Sequence, residues 1–344
     1  MRVIFTALLS LLIVACSNQA TTKKVTSKQE VNVYTHRHYD TDKALLAAFE
    51  KQTGIRVNVI KAKADELIEK MKIEGQQSPA DILITSDAAR LYRAKKELLL
   101  QAVNDTAITG LVPSHLKDDE NFWFGITKRA RVLVYAKDRV NPEDLNSYED
   151  LTQQKWKNKL LVRSSSNIYN QSLMASIIAE KGEAAALDWA KMLVDNMARS
   201  PKGNDRDQVK AIASGQGDVA IVNTYYLGKL LNSSNPEEVL AGEAVGIFFP
   251  NQSDRGTHIN ISGMGLAKHA PNRENAIQLM NYLLSQEVQK QFAEANYEYP
   301  VRNDVAASEL LNSWGTFKED VIALKTLGEN NQKAIMVFDQ AGWK

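Results

Sequence analysis

The sequence contains one cysteine, five histidines and almost no net charge. The cysteine is Cys16, close to the N-terminus, so an exported mature form would contain no disulfide and its stability must come from its core. Basic residues number 42 and acidic residues 41, and this balance gives no electrostatic argument for nucleic acid or another polyanion as a partner. No internal repeat of 20–50 residues is visible.

A long apolar run is also missing, because the apolar N-terminal segment 3–15 is too short for a permanent membrane-spanning helix. It follows Met1 and Arg2, which is the pattern of a secretory signal. The residues before Cys16 match a bacterial lipobox, so we predict a signal peptide over 1–15 and a lipidated Cys16. The polar segment 16–30 is predicted to be a flexible tether between a membrane and the folded part, which places the protein in the cell envelope.

The remaining chain has the pattern of an α/β protein. It is 44% hydrophobic in a total of 344 residues, enough for two domains with sizeable cores. Strands predicted at 31–34, 56–60 and 79–84 alternate with helices predicted at 41–52 and 64–74. This alternation indicates βαβ units around a largely parallel sheet.

A basic segment divides the next apolar stretch. Strands are predicted at 122–126 and 132–135, and Lys128 to Arg131 is interpreted as a link between them. Further α/β elements follow, and two lobes joined by such crossovers fit their order better than one very large sheet. We place lobe 1 at 31–127 plus 262–303 and lobe 2 at 128–261 plus 304–344.

Two adjacent tyrosines stand where a buried strand is predicted to become a helix. The apolar run 217–222 precedes Tyr225 and Tyr226, and leucines then recur at helical spacing. Neighbouring side chains diverge in a regular strand or helix, so both phenols reach one target only at such a junction. Asn223 or Thr224 is a candidate cap of this helix. The alternative is a pair of amphipathic aromatic residues at a strand end.

Two more strand ends carry similar groups. The segment 36–42 follows the first strand, and 163–171 follows a strand predicted at 160–162. Ligand sites form at the carboxyl ends of parallel strands, which places Tyr39 and Tyr169 in such a crevice. Three strand-to-helix loops therefore each supply a phenol, whereas Tyr135 lies inside an apolar strand and is predicted to pack in the core.

Phenolate oxygen suits a hard, highly charged cation, whose charge lowers the pKa of a phenol. Zinc sites favour cysteine and histidine, while calcium and magnesium sites favour carboxylates and carbonyls. Ferric iron is the leading candidate on this chemistry. Tyrosines also line pockets for sugars and amines, so the spacing leaves those ligands open.

These motifs resemble the periplasmic ferric-iron-binding proteins of ABC transporters, specifically the FutA type. The resemblance extends from Val31 to the C-terminus and is carried by the segments 37–42, 128–132, 167–172 and 223–226. It implies a type II periplasmic-binding-protein fold, with mixed sheets flanked by helices in two hinged lobes. It also implies a monomer that delivers Fe(III) to an ABC permease and performs no catalysis. The implied iron ligands are His38, Tyr39, Tyr169, Tyr225 and Tyr226.

The implied ligand set leaves a charge to be balanced. Four phenolates and a neutral imidazole around Fe(III) sum to minus one, so a nearby cation is expected. Arg37 and Arg129 are the candidates. His36 is a weaker candidate ligand than His38, and the remaining histidines are interpreted as surface or structural residues.

Two other functions are compatible with parts of this pattern. A carrier of an organic cation, sugar or oxyanion would use the tyrosines as stacking surfaces or hydroxyl donors. An exported hydrolase or redox enzyme would use a Tyr/His site. No Gly-x-Ser-x-Gly, His-Glu-x-x-His or paired-carboxylate motif in a convincing context supports the enzyme.

Overall fold

The computed structural model describes residues 29–37 and 39–344. The predictions for the signal peptide, Cys16, nearly all of the tether and His38 fall outside the described residues. The strands are β1 (Glu30–Thr35), β2 (Arg56–Lys61), β3 (Ile82–Ser86), β4 (Leu100–Gln101), β5 (Phe124–Ala136), β6 (Leu160–Leu161), β7 (Val219–Asn223), β8 (Val245–Phe248) and β9 (Ile259–Ala267).

The α-helices of the described residues lie between and after these strands. They are α1 (Asp40–Thr53), α2 (Ala64–Glu74), α3 (Ala88–Lys96), α4 (Thr106–Thr109), α5 (Ile168–Lys181), α6 (Glu183–Asn196), α7 (Asp205–Ala213), α8 (Thr224–Leu231), α9 (Pro236–Glu243), α10 (Arg273–Leu283), α11 (Gln286–Asn296), α12 (Glu309–Ser313), α13 (Lys325–Glu329) and α14 (Asn331–Ala341).

The sheet has two halves that share one strand. Its main order is β2-β1-β3-β9-β5-β7-β6, with β4 beside β9 and β8 beside β5. β1 pairs in parallel with β2 and β3, and β6 pairs in parallel with β7, whereas the pairings of β5 and β9 are antiparallel. The sheet is therefore mixed, as the resemblance implied, and the largely parallel sheet predicted from the alternation of strands and helices is wrong. Every residue of β3, β7 and β9 is buried, which is typical of strands covered on both faces.

Strand β5 corrects the prediction of two strands separated by a basic link. It is one strand of 13 residues. Its first part pairs with β9 through Ala130, and its last part pairs with β7 and β8 from Arg131 onward. The charged residues do not interrupt the strand because each lies beside an acidic side chain. Lys128 pairs with the half-buried Glu319, and the buried Asp87 and Asp205 lie beside Arg129 and Arg131. β5 therefore connects the two halves of the sheet directly.

Local signals located most other elements. α1 ends at Gly54, whose φ of 73° is the left-handed conformation that glycine adopts without a Cβ penalty. α2 has the predicted bounds and buries Leu67, Ile68 and Met71 as predicted. Helical spacing predicts that Leu45, Ala48 and Phe49 share one face of α1. Leu45 and Phe49 are buried, whereas Ala48 is exposed.

Within residues 29–37 and 39–344, no helix has both the length and the apolar character needed to cross a lipid bilayer.

Candidate metal centre

Tyr225 and Tyr226 are the second and third residues of α8, directly after β7. Their ring centroids are 4.2 Å apart and the ring planes are inclined by 31°. The two phenols therefore lie side by side at the strand-to-helix junction. Asn223 stands at the N-cap position, but its side chain makes no capping hydrogen bond. Its Oδ1 instead accepts a hydrogen bond from Arg131, 3.2 Å away, which corrects the predicted capping role of this side chain.

Tyr169 reaches the same place from α5. Asn167 caps this helix by accepting a hydrogen bond from the Tyr169 backbone N–H at 3.1 Å, which fixes where the first turn begins. The Tyr225 hydroxyl donates to the Tyr169 hydroxyl across 3.3 Å. Tyr169 and Tyr225 are 56 residues apart in the sequence, and their phenolic oxygens lie within hydrogen-bonding distance.

Tyr39 approaches from the other half of the sheet, at the N-cap position of α1. The Lys229 ammonium lies 3.5 Å from the centroid of the Tyr39 ring and 5.6 Å from that of Tyr225. One lysine of α8 therefore contacts phenols from both halves. This is a cation–π arrangement, strengthened by the partial burial of the lysine.

Of the predicted histidine ligand, His38, the structure describes nothing, although both of its chain neighbours are described. His36 contacts Ser86, with its Nε2 2.7 Å from the serine Oγ. His258 is buried, and burial together with the charges of Arg255, Arg131 and Arg129 lowers its pKa well below the ordinary value. A neutral, buried His258 fits the predicted structural role.

Tyr39, Tyr225 and Tyr226 are neutral in the absence of a metal charge. Burial raises the pKa values of Tyr39, Tyr225 and Tyr226, and the negative charges that neighbouring phenols would carry raise them further. These three tyrosines therefore do not ionise at neutral pH unless a strong positive charge enters among them. Binding of such a cation must release protons, and protons must compete with it.

Arg37 is buried and anchored on acidic groups. Its guanidinium makes paired contacts with Asp42 at 2.9 and 3.0 Å and with Glu298 at 2.9 and 3.2 Å, and it donates to Ser262 at 2.7 Å. The same group lies 4.9 Å from the centroid of the Tyr39 ring. Burial alone would lower the pKa of Arg37, but Asp42 and Glu298 raise it well above the ordinary value. This fixed positive charge lies beside Tyr39.

Arg129 is the buried arginine beside Tyr169. Its guanidinium carbon is 5.2 Å from the centroid of the Tyr169 ring, and its Nη2 is 3.6 Å from an oxygen of the buried Asp87. Neither Nη atom has a hydrogen-bond partner among the described residues. Either arginine taken alone could have occupied a solvated surface, but the structure buries both Arg37 and Arg129.

Arg131 and Asp205 hold the tyrosine helix in place. Arg131 donates to Asp205 at 2.7 Å and to Asn170 at 2.6 Å, and Asp205 also accepts from the backbone N–H of Asn223 at 2.7 Å. The carboxylate thus connects β5 to the start of α8. Because Asp205 is completely buried, its interactions are little screened by solvent.

Sequence reasoning assigned no role to several charged residues of this region. Lys229 is four residues after Tyr225, so helical spacing places it on the same face, and Arg163 follows the predicted strand 160–162. The Arg163 guanidinium is 5.7 Å from the Tyr169 ring centroid and 3.3 Å from Asp205. Glu298 is 261 residues from Arg37, and no local pattern indicates that pairing.

The described residues contain no group of three or more histidines, cysteines or acidic residues able to hold a metal ion. The donors that converge are phenols, with the guanidinium groups of Arg37, Arg129 and Arg163 and the ammonium group of Lys229 around them. Such a site suits a hard, highly charged cation once its phenols ionise. It suits an organic cation poorly, because lysine and arginine already lie against the rings of Tyr39 and Tyr169.

The chain is similar to known proteins over most of its length. The family described as "bacterial extracellular solute-binding protein" matches residues 44–319. Iron uptake protein A1 of Synechocystis sp. is 48% identical over 317 residues, which is 92% of this chain and 88% of that protein. The structure of FutA (IdiA) from Trichodesmium in complex with iron and citrate ligands has a TM-score of 0.88 and 50% identity, over 92% of this chain and all of that one. Apo FutA2 of Synechocystis PCC6803 has a TM-score of 0.87 and 45% identity, again over 92% of this chain and all of that one.

The predicted resemblance and fold class are therefore confirmed. Iron uptake protein A1 is named for iron uptake and the major ferric iron-binding protein of Neisseria meningitidis for iron binding, and such substrate-binding transport proteins are not enzymes. The chain belongs to the bacterial extracellular solute-binding protein family and has the type II periplasmic-binding-protein fold.

Proposed function

We propose that this protein captures Fe(III) in the periplasm through Tyr39, Tyr169, Tyr225 and Tyr226, together with His38, and delivers the ion to an ABC permease in the inner membrane. The observation that carries the proposal is the convergence of phenols at the starts of three helices, with Tyr225 Oη 3.3 Å from Tyr169 Oη. The names of the relatives support iron as the solute. No chemical conversion of the solute is involved.

Charge balance supports a trivalent ion. Four phenolates offset Fe(III) and leave one negative charge, and Arg37 and Arg129 are buried beside two of the proposed ligands. Both arginines already face acidic partners, so they orient and partly neutralise the site rather than carry free charge. Lys229 adds a further cation against Tyr39 and Tyr225.

Addition of ferric citrate to the metal-free protein is expected to produce a broad visible phenolate-to-iron charge-transfer band and to raise the melting temperature. The band should fade on acidification, because burial raises the pKa values of the tyrosines and protons displace the metal from them. Absorbance during a titration, followed by stepwise acidification, measures both effects. Zinc and calcium are controls that should give no visible band. A colourless complex with unchanged melting would contradict the proposal.

The two lobes are proposed to close around the ion. Tyr39 follows β1 in one half of the sheet. Tyr169 lies in the first turn of α5, and Tyr225 and Tyr226 lie in the first turn of α8, beside the other half. A metal bound by all of them interacts more strongly with a closed arrangement and shifts the population towards it. The lobe boundaries at 127/128, 261/262 and 303/304 remain predictions, as does the monomeric state.

We further propose that Cys16 is lipidated after removal of residues 1–15 and tethers the protein to a membrane. Both the lipobox and the cysteine lie outside the described residues. The Cys16→Ser variant should move from the membrane fraction to the soluble or unprocessed fraction, since an acyl chain supplies much of the membrane affinity. Fractionation with immunodetection measures this. An equal soluble distribution of wild type and variant would contradict the anchor and leave the iron site unaffected.

A further inference from the structure

A close contact links the tyrosine helix to the opposite half of the protein. Gly228 lies in α8, two residues after Tyr226, and its backbone faces the side chain of Tyr297. A methyl group at position 228 would be 2.6 Å from both Cβ and Cγ of Tyr297 and 3.0 Å from its Cδ2. These separations are well below carbon–carbon contact distance, so only glycine permits this approach.

Tyr297 is poorly placed to move aside. It follows α11 in the left-handed conformation, with φ 57° and ψ 34°, which is uncommon for a residue with a Cβ. The next residue, Glu298, is buried and bound to Arg37. Tyr299 then exchanges two backbone hydrogen bonds with Lys128, at 2.8 and 2.7 Å. The backbone of Tyr297 is therefore held by α11 on one side and by these two anchored residues on the other.

The contact lies between the elements that carry the proposed ligands. α8 bears Tyr225 and Tyr226, while α11 packs against α1, whose N-cap position is Tyr39. Lys229, the next residue after Gly228, reaches the Tyr39 ring. The separation of α8 and Tyr297 thus determines how near the tyrosine pair comes to Tyr39.

We infer that Gly228 is a positioning residue for iron retention, because its lack of a side chain lets α8 close against Tyr297 and complete the metal site. The inference rests on the proposed function. It adds a residue that donates nothing to the metal and acts through the approach of the two halves. A side chain at 228 opposes closure of α8 against Tyr297, and it removes none of the proposed ligands.

The Gly228→Ala variant is expected to bind Fe(III) with the same visible band but to lose it to excess EDTA about tenfold faster than wild type or more, because the clash destabilises the closed form. Loss of the band after chelator addition measures the release rate. Gly242→Ala is the matched control. Gly242 is also helical, in α9, and the three atoms nearest to a methyl group there are side-chain atoms of Leu231 and Leu230, at 3.1–3.3 Å, within the same half. Release from this control should be unchanged.

A compensating substitution separates the contact from a local effect on α8. Tyr297→Gly removes all three clashing atoms, and glycine suits the left-handed backbone at 297. In a Tyr297→Gly background, the addition of Gly228→Ala should therefore change the release rate by less than about twofold. A tenfold acceleration in both backgrounds, or wild-type release from Gly228→Ala alone, would overturn the inference. If Gly228→Ala alone does not fold, the comparison of Tyr297→Gly with the double variant decides, since a misfolded double variant also overturns it.

Failure of the proposed iron site and failure of the inference about Gly228 give different experimental results. If the phenols are not the ligands, the wild-type protein shows no charge-transfer band, and the release experiment has no signal from the start. If the phenols bind iron but Gly228 does not control closure, the band is intact and the release rates of Gly228→Ala, Gly242→Ala and wild type coincide.

Discussion

Replacement of Tyr225 and Tyr226 together by phenylalanine is expected to weaken the visible band and to lower the affinity for Fe(III) by at least about 100-fold. Loss of an outer-shell partner of a metal ligand already costs about 10–100-fold, and this variant loses two proposed donor oxygens. The rings remain, so their packing at 4.2 Å is preserved. Competition against citrate, read from the band or from protein fluorescence, measures the affinity.

The fold of this double variant should survive. Each substitution removes one hydroxyl, and the hydrogen bond from Tyr225 to Tyr169 is worth about 0.5–1.5 kcal/mol. Iron should therefore raise the melting temperature of wild type and leave that of the variant nearly unchanged. Tyr135→Phe is the matched control. Tyr135 lies in β5 beside Gly246 and is not one of the proposed ligands. Wild-type colour and affinity in the double variant would show that the pair is structural.

The positions of the four phenols were predictable because local signals determine them. A strand pattern followed by a helix start places a residue at a sheet edge, and Tyr39, Tyr169 and Tyr225 each stand at such a boundary. The bounds of α2 followed from helical periodicity and a terminal glycine in the same way. Periodicity alone did not place Ala48, since a small residue on the border of the apolar face is buried only if a neighbouring element covers it.

The course of β5 was not predictable from local pattern. Charges at 128, 129 and 131 normally end an apolar strand, because burial of an unpaired charge is costly. Here Asp205 receives Arg131 from 74 residues away, Asp87 lies beside Arg129, and Glu319 pairs with Lys128. These partners come together only in the folded chain. The same reason explains why Glu298 was not recognised as the partner of Arg37.

The contact between Arg37 and Glu298 leads to a prediction about stability. Glu298→Gln is expected to lower the free energy of unfolding of the metal-free protein by about 3–5 kcal/mol at pH 7, because it leaves part of a buried positive charge uncompensated. Glu298 also accepts from Thr127 at 3.0 Å, a bond that the amide oxygen can keep. Urea unfolding followed by circular dichroism measures the change. Glu274→Gln is the matched control, since Glu274 is exposed and forms an ion pair with its neighbour Arg273; it should change stability by less than about 0.5 kcal/mol.

The pH dependence of this difference has a defined sign. Burial alone would raise the pKa of the Glu298 carboxyl, but the charge and hydrogen bonds of Arg37 lower it below its ordinary value. A carboxyl with a lowered folded-state pKa stabilises the fold above its unfolded-state pKa, and that stabilisation is lost as pH falls through the folded-state value. The gap between wild type and Glu298→Gln should therefore be full at pH 7 and should shrink as pH falls below the ordinary pKa of a glutamate, about 4.3, towards the lowered folded-state value. A gap that is absent at pH 7, or that widens on acidification, would show that Glu298 does not stabilise the fold through its charge. The expected difference in stability at pH 7 would show that the Glu298–Arg37 ion pair stabilises the fold. The same pair contacts the Arg37 guanidinium that lies beside Tyr39.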